Sequence, residues 1–212
     1  AEGVSSWQVY KALSEIKFLL GKLENIPDEG TIAPASYDFV IGMTKEALIK
    51  KMQERQASIL NEAWNARQPN LPINTKQAAL ILASIIEKET SLKTERGKVS
   101  SVFVNRLLRE IALQTDASVV YGITRGKKVL GRGLRRSELK KDTPWNTYVN
   151  KGLPPTPIGN PGKASIHAAL NPDVTNYLYF VADGSGGHAF AENLREHNIN
   201  VAKWRKIEKT DN

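Results

Sequence analysis

The chain has 212 residues, 41% of them hydrophobic and 25% charged, a balance that excludes wholesale disorder and a membrane-embedded body. Lysine and arginine outnumber aspartate and glutamate by 30 to 22, and the net charge of +8 favours anionic partners: nucleic acid, anionic lipid or an acidic polymer. Cysteine is absent, which removes a disulfide framework, a thiolate nucleophile and cysteine-ligated zinc.

Ser5 or Ser6 caps a first helix in which Trp7, Tyr10, Leu13, Ile16, Leu19 and Leu20 recur at helical spacing, ending near Gly21. The first six residues carry neither a basic nor an apolar stretch of the kind a signal peptide needs. Residues 24–36, broken by Pro27, Gly30 and Pro34, read as a connecting loop and a subdomain seam. Thr44 opens a long helix with Leu48, Ile49, Met52, Ile59, Leu60 and Trp64 on one stripe. Asn74, with Gln77 three residues on, is expected to cap the next helix, which runs to about Thr90. Its apolar run, residues 78–86, is far short of the ~20 residues that span a membrane.

A helix over residues 95–109 buries Val99, Val102, Phe103 and Leu107, and residues 111–161 read as a long ordered loop with short elements. Residues 177–182 form the clearest strand, and residues 183–187 turn it back into His188-Ala189-Phe190. A last helix covers about residues 198–209. Helices in front of a small hairpin predict an α+β fold.

The chemistry concentrates at the end of the third helix. Ala78, Leu82, Ile85 and Glu89 follow one another at spacings of four, three and four, so a carboxyl occupies a core position. Apolar walls raise the pKa of such a group and let it act as a proton donor. On periodicity alone the alternative stands: a helix-end carboxylate pairing with Lys93 or Arg96 at the surface. Glu87 lies on a more polar face.

Gln114-Thr115-Asp116, Tyr121 and Asn146-Thr147-Tyr148 put amides, hydroxyls and phenols into Gly/Pro-rich loops, a set suited to sugar hydroxyls and equally able to brace the loop. His167, His188 and His197 show no metal-ligand spacing, so no metal and no cofactor are expected. The basic run from Arg125 to Lys141 lacks interleaved aromatics and matches no nucleic-acid-binding motif; it reads as a solvated face or one facing an anionic polymer.

The runs Ala83-Ser84-Ile85-Ile86-Glu87-Lys88-Glu89-Thr90, Ser101-Val102-Phe103-Val104-Asn105-Arg106-Leu107, Leu113-Gln114-Thr115-Asp116, Asn146-Thr147-Tyr148, Gly152-Leu153-Pro154-Pro155, residues 177–183, Gly186-Gly187-His188 and His197-Asn198 together resemble the YceG-like family of endolytic murein transglycosylases. The resemblance covers most of the chain. Ala117, Trp145 and Thr156 depart from the usual pattern.

The resemblance implies a lysozyme-like helical core and a catalytic domain over residues 31–212, behind a helical segment and linker at residues 1–30. It implies cleavage of the β-1,4 bond between N-acetylmuramic acid and N-acetylglucosamine within glycan strands, leaving 1,6-anhydro ends. It assigns the acid/base role to Glu89, in agreement with the stripe. Gln114, Thr115, Asp116, Tyr121, Asn146 and Tyr148 become candidates for holding the sugar, with Asn105 and His188 as further candidates; Asp116 acting as a second carboxylate would point to hydrolysis. The implied partners are peptidoglycan strands and cell-wall synthesis proteins. The implied location is the periplasmic face of a bacterial inner membrane, through an N-terminal anchor that, with a LysM-like subdomain, precedes this chain.

Overall fold

Side-chain caps decide where the first three helices begin. In the computed structural model, which describes residues 1–210, Ser5 and Gln8 form a reciprocal capping box that starts α1 (Ser6–Glu15). Thr44 caps α2 (Lys45–Asn65), its hydroxyl accepting from the Ala47 N–H at 3.1 Å. Helix α3 (Lys76–Glu89) starts one residue later than the sequence suggests. Thr75, in extended conformation, accepts from the Ala78 N–H at 3.0 Å and replaces Asn74 as the cap. Then follow α4 (Arg96–Leu108), α5 (Asp116–Thr124), α6 (Arg136–Lys140), α7 (Lys163–Leu170), β1 (Tyr179–Ala182), β2 (His188–Ala191) and α8 (Leu194–Thr210). The fold is α+β.

Helix α3 is the centre. Every residue from Ala79 to Ile86 is buried, and with Ser84 the one polar side chain among them this stretch must be enclosed on all sides. It packs against α2, α4, α5 and α7, with Val99 and Phe103 of α4 and Ile166, Ala169 and Leu170 of α7 completing the core. A second, smaller cluster joins Leu13, Leu19, Ile32, Leu48 and Ile49 around α1 and α2.

Other elements also differ from their sequence reading. Helix α1 stops at Glu15, and the chain turns at Lys17 and Phe18 so that Leu20 bridges Thr44 beside the start of α2. Helix α7 carries no sequence signal, because Gly162 at its start makes no side-chain cap and eight residues give too short a stripe. Helix α8 begins at Leu194, directly after the hairpin.

In that hairpin Tyr179 pairs with Ala191 and Ala182 with His188 in antiparallel register. Asp183 closes its turn by accepting from the Ser185 N–H at 2.8 Å, with Gly184 and Gly186 at the left-handed φ of 88° and 89° that the turn needs.

Residues 1–30 are stitched onto the remainder by Asn160. Its side chain donates to the Val4 carbonyl at 3.0 Å and accepts from the Ile32 N–H at 3.0 Å. Its backbone adds bonds to Gly3 and Val4.

Candidate active site

Glu89 is the last residue of α3 because Thr90 turns extended, at φ −144° and ψ 134°. The break leaves the carboxyl on the wall of a cleft of about 540 Å³, together with Gln114, Thr115, Asp116 and Tyr148. Burial dominates the electrostatics and raises the Glu89 pKa above the ordinary carboxylic-acid value. The Thr115 hydroxyl donates to Glu89 Oε1 and opposes that rise, the Asp116 charge adds to it, and His188 opposes it weakly.

The loop facing Glu89 is held from outside the cleft. Gln114 takes a left-handed φ of 54°, and its N–H bonds the Thr147 carbonyl at 3.0 Å. The Thr115 N–H donates to the Thr147 hydroxyl at 3.0 Å, and Ser118 bonds that hydroxyl at 2.9 Å. With its backbone pinned in this way, Thr115 can aim its own hydroxyl at the acid. One residue on, Asp116 accepts from the Tyr148 hydroxyl at 2.6 Å. Burial and the Asp116 carboxylate both push the Tyr148 phenol pKa upward, so it stays a donor.

Glu89, Gln114, Thr115, Asp116 and Tyr148 are therefore brought together, and the other nominated residues lie elsewhere. Tyr121 donates to Glu29 at 3.0 Å and lines a separate cavity with Lys88. Asn146, 1% exposed, gives its amide to the carbonyls of Glu138, Leu139 and Lys141 at 3.3, 3.0 and 2.7 Å. Asn105 bonds the carbonyls of Thr175 and Tyr177, each at 2.9 Å. His188 Nδ1 meets Glu95 at 2.8 Å, and its ring stands edge-on to Phe180.

Three cleft residues escape the sequence reading. Arg106 comes from α4, Tyr179 from β1 and His197 from α8, and they line the same cleft as the acid. The His197 ring stacks on Tyr179 with centroids 5.0 Å apart, and the Arg106 guanidinium lies 5.1 Å from the Tyr179 centroid. No spacing links residues so far apart in the chain; Arg106 and Tyr179 only sit inside motif runs, and His197, at the head of another, is read in sequence only as an imidazole without metal-ligand spacing. Among the described residues no group of three or more His, Asp or Glu could hold a metal ion.

The sequence model of the YceG-like family matches residues 1–203. The chain belongs to the YceG-like family. A curated relative from Bacillus subtilis (strain 168), named endolytic murein transglycosylase, is 39% identical over 179 residues, covering 84% of this YceG-like chain and 48% of its own length. A relative of the same name from Streptococcus pneumoniae serotype 2 is 33% identical over 182 residues, covering 82% of the chain and 32% of its own length. The chain thus spans about half of the first relative and about a third of the second. A crystal structure of a YceG-like protein from Listeria monocytogenes aligns with a TM-score of 0.74 at 29% identity, covering 94% of this chain and 74% of that one.

Proposed function

We propose that this chain is the catalytic portion of an endolytic lytic transglycosylase acting on peptidoglycan glycan strands, with Glu89 as its single acid/base. The observation that carries the reading is a glutamic acid biased by burial toward its protonated form, standing on the wall of a polar cleft. The names of the relatives support the substrate class.

Protonated Glu89 donates to the glycosidic oxygen as the β-1,4 bond between N-acetylmuramic acid and N-acetylglucosamine breaks toward an oxocarbenium-like state. The carboxylate so formed takes the proton of the muramic acid 6-hydroxyl, and that oxygen closes on the anomeric carbon as a 1,6-anhydro ring. Thr115 keeps the Glu89 carboxyl in one rotamer through both steps. Gln114, Asp116 and Tyr148 offer hydrogen bonds to sugar hydroxyls. The helical core around α3 is read as lysozyme-like, and the working location as the periplasmic face of the inner membrane, where the substrate lies. Among the described residues no helix is long and apolar enough to cross a membrane.

A second reading, a hydrolytic muramidase, draws on one observation: Asp116 is a further carboxylate whose charge acts on Glu89. Mass spectrometry of fragments released from uncrosslinked glycan strands separates the two. Anhydro-muramic ends that disappear in Glu89→Gln support the transglycosylase, and reducing ends support the muramidase. Intact strands with either chain would leave a glycan-binding domain instead.

A further inference from the structure

Two arginines of this chain are almost wholly buried, and they are treated differently. Arg96, 6% exposed, reaches Glu87 at 3.4 Å and Glu2 at 3.9 Å. Arg106, 8% exposed, has no carboxylate within 4.0 Å among the described residues. A buried charge without a counterion is costly, and burial already lowers the Arg106 pKa.

The hydrogen bonds of Arg106 are one-sided. Its Nε donates to the Leu178 carbonyl at 2.7 Å, and Nη1 serves the carbonyls of Ala112 and Leu113 at 3.1 and 2.9 Å. Nη1 also approaches Gln114 Oε1 at 3.5 Å. Nη2 bonds no described residue, yet it is absent from the sealed polar atoms that lack partners, so it reaches open space. The cavity that Arg106 lines is the cleft of Glu89. Asp116, the other carboxylate of that cleft, is engaged by Tyr148. The cleft therefore presents a fixed cationic edge, held by three backbone carbonyls and backed by Tyr179, with no anion of the protein's own to meet it.

We infer that Arg106 is a substrate contact that binds a carboxylate through Nη2. This rests on the proposed function for the identity of the ligand. In a murein strand the carboxylates near the scissile bond are the lactyl group on muramic acid, when it is free, and those of an attached peptide when it is not. Guanidinium suits either, because it stays charged when buried and binds carboxylates through charge-assisted hydrogen bonds. Arg106 thus distinguishes muramic acid from N-acetylglucosamine, which lacks the substituent.

The test uses the Glu89→Gln chain, so that the ligand survives, and calorimetry with three tetrasaccharides of alternating N-acetylglucosamine and N-acetylmuramic acid. One has free lactyl carboxylates, one has them as methyl esters, and one bears peptides. The ester is expected to bind about tenfold more weakly than the acid. The peptide-bearing form binding above the ester assigns the contact to peptide carboxylates as well; binding level with the ester assigns it to the lactyl group alone. Adding Arg106→Gln should abolish the difference between acid and ester, with folding checked by circular dichroism. The ester comparison needs no change at Arg106 and stands if that variant fails to fold. Equal affinity for acid and ester, or no binding of either, overturns the inference. Strand cleavage by the unaltered chain is scored separately. Cleavage with equal affinities sinks the inference and leaves the proposed function, whereas a carboxylate preference without cleavage does the reverse.

Discussion

Glu87 and Glu89 stand two residues apart on α3 and meet opposite surroundings. Two steps rotate a side chain by roughly 200°, so one carboxylate turns inward to the scaffold and the other to the cleft. Glu87 accepts from the Gly162 N–H at 2.9 Å and pairs with buried Arg96. The ion pair that a helix-end glutamate would make with Arg96 is thus made by Glu87, and Glu89 is left to the Thr115 hydroxyl.

Isosteric amides at these two positions should separate chemistry from stability. Glu89→Gln is expected to fold normally and lose cleavage by about 10²- to 10⁴-fold. Glu87→Gln should retain cleavage per folded molecule but lose about 3 kcal/mol, because Arg96 is left without its buried partner. Urea unfolding and fragment release measure the two effects; a stable, fully active Glu89→Gln chain would contradict the assignment.

The raised Glu89 pKa has a stability signature. The folded state holds this proton more tightly than the unfolded chain, so the group's contribution is fully present below the unfolded value of 4.5 and is lost as pH rises through the folded pKa. Above the folded pKa the native state carries a buried carboxylate. Glu89→Gln removes it, so its melting temperature should gain on that of the unaltered chain as pH rises through the folded pKa, with the difference gone by about pH 4. Glu29 also has a raised pKa, but it is common to both chains and cancels from the difference.

Thr115→Val keeps the shape of a buried residue and removes the hydroxyl that stabilises the Glu89 carboxylate. Its loss should raise the Glu89 pKa further, moving the alkaline limb of the cleavage rate to higher pH. Rates across pH read this directly. An unmoved limb would mean that the bond does not tune the acid.

Asn146 provides a contrast between bracing and binding. Asn146→Ala strips hydrogen bonds from three carbonyls of residues 138–141 and is expected to cost about 2–3 kcal/mol in urea unfolding. A variant of native stability with a raised KM would instead make Asn146 a substrate contact.

Local signals were legible where one side chain decides an element. Thr44 as a cap, the turn at residues 183–187 and the stripe through Ala78, Leu82, Ile85 and Glu89 all rest on neighbours in the chain. Helix α7 and the far wall of the cleft were not legible, because tertiary contacts create them. Arg106, Tyr179 and His197 become neighbours only once β1 lies beside α4 and α8. Polar residues in loops were ambiguous for a related reason: Gln114 and Asn146 look alike in sequence, and only the carbonyls around Asn146 separate them.

The Asn160 stitch has a mechanical consequence. Tension applied to residue 1 meets the bonds from Gly3 and Val4 to Asn160 before it can unwind α1, and the nearby Glu2–Arg96 contact shares the load. Residue 160 leads within three positions into α7, which packs on α3. A pull at the front of the chain is therefore delivered, along a short and stiff path, to the helix whose last residue is Glu89.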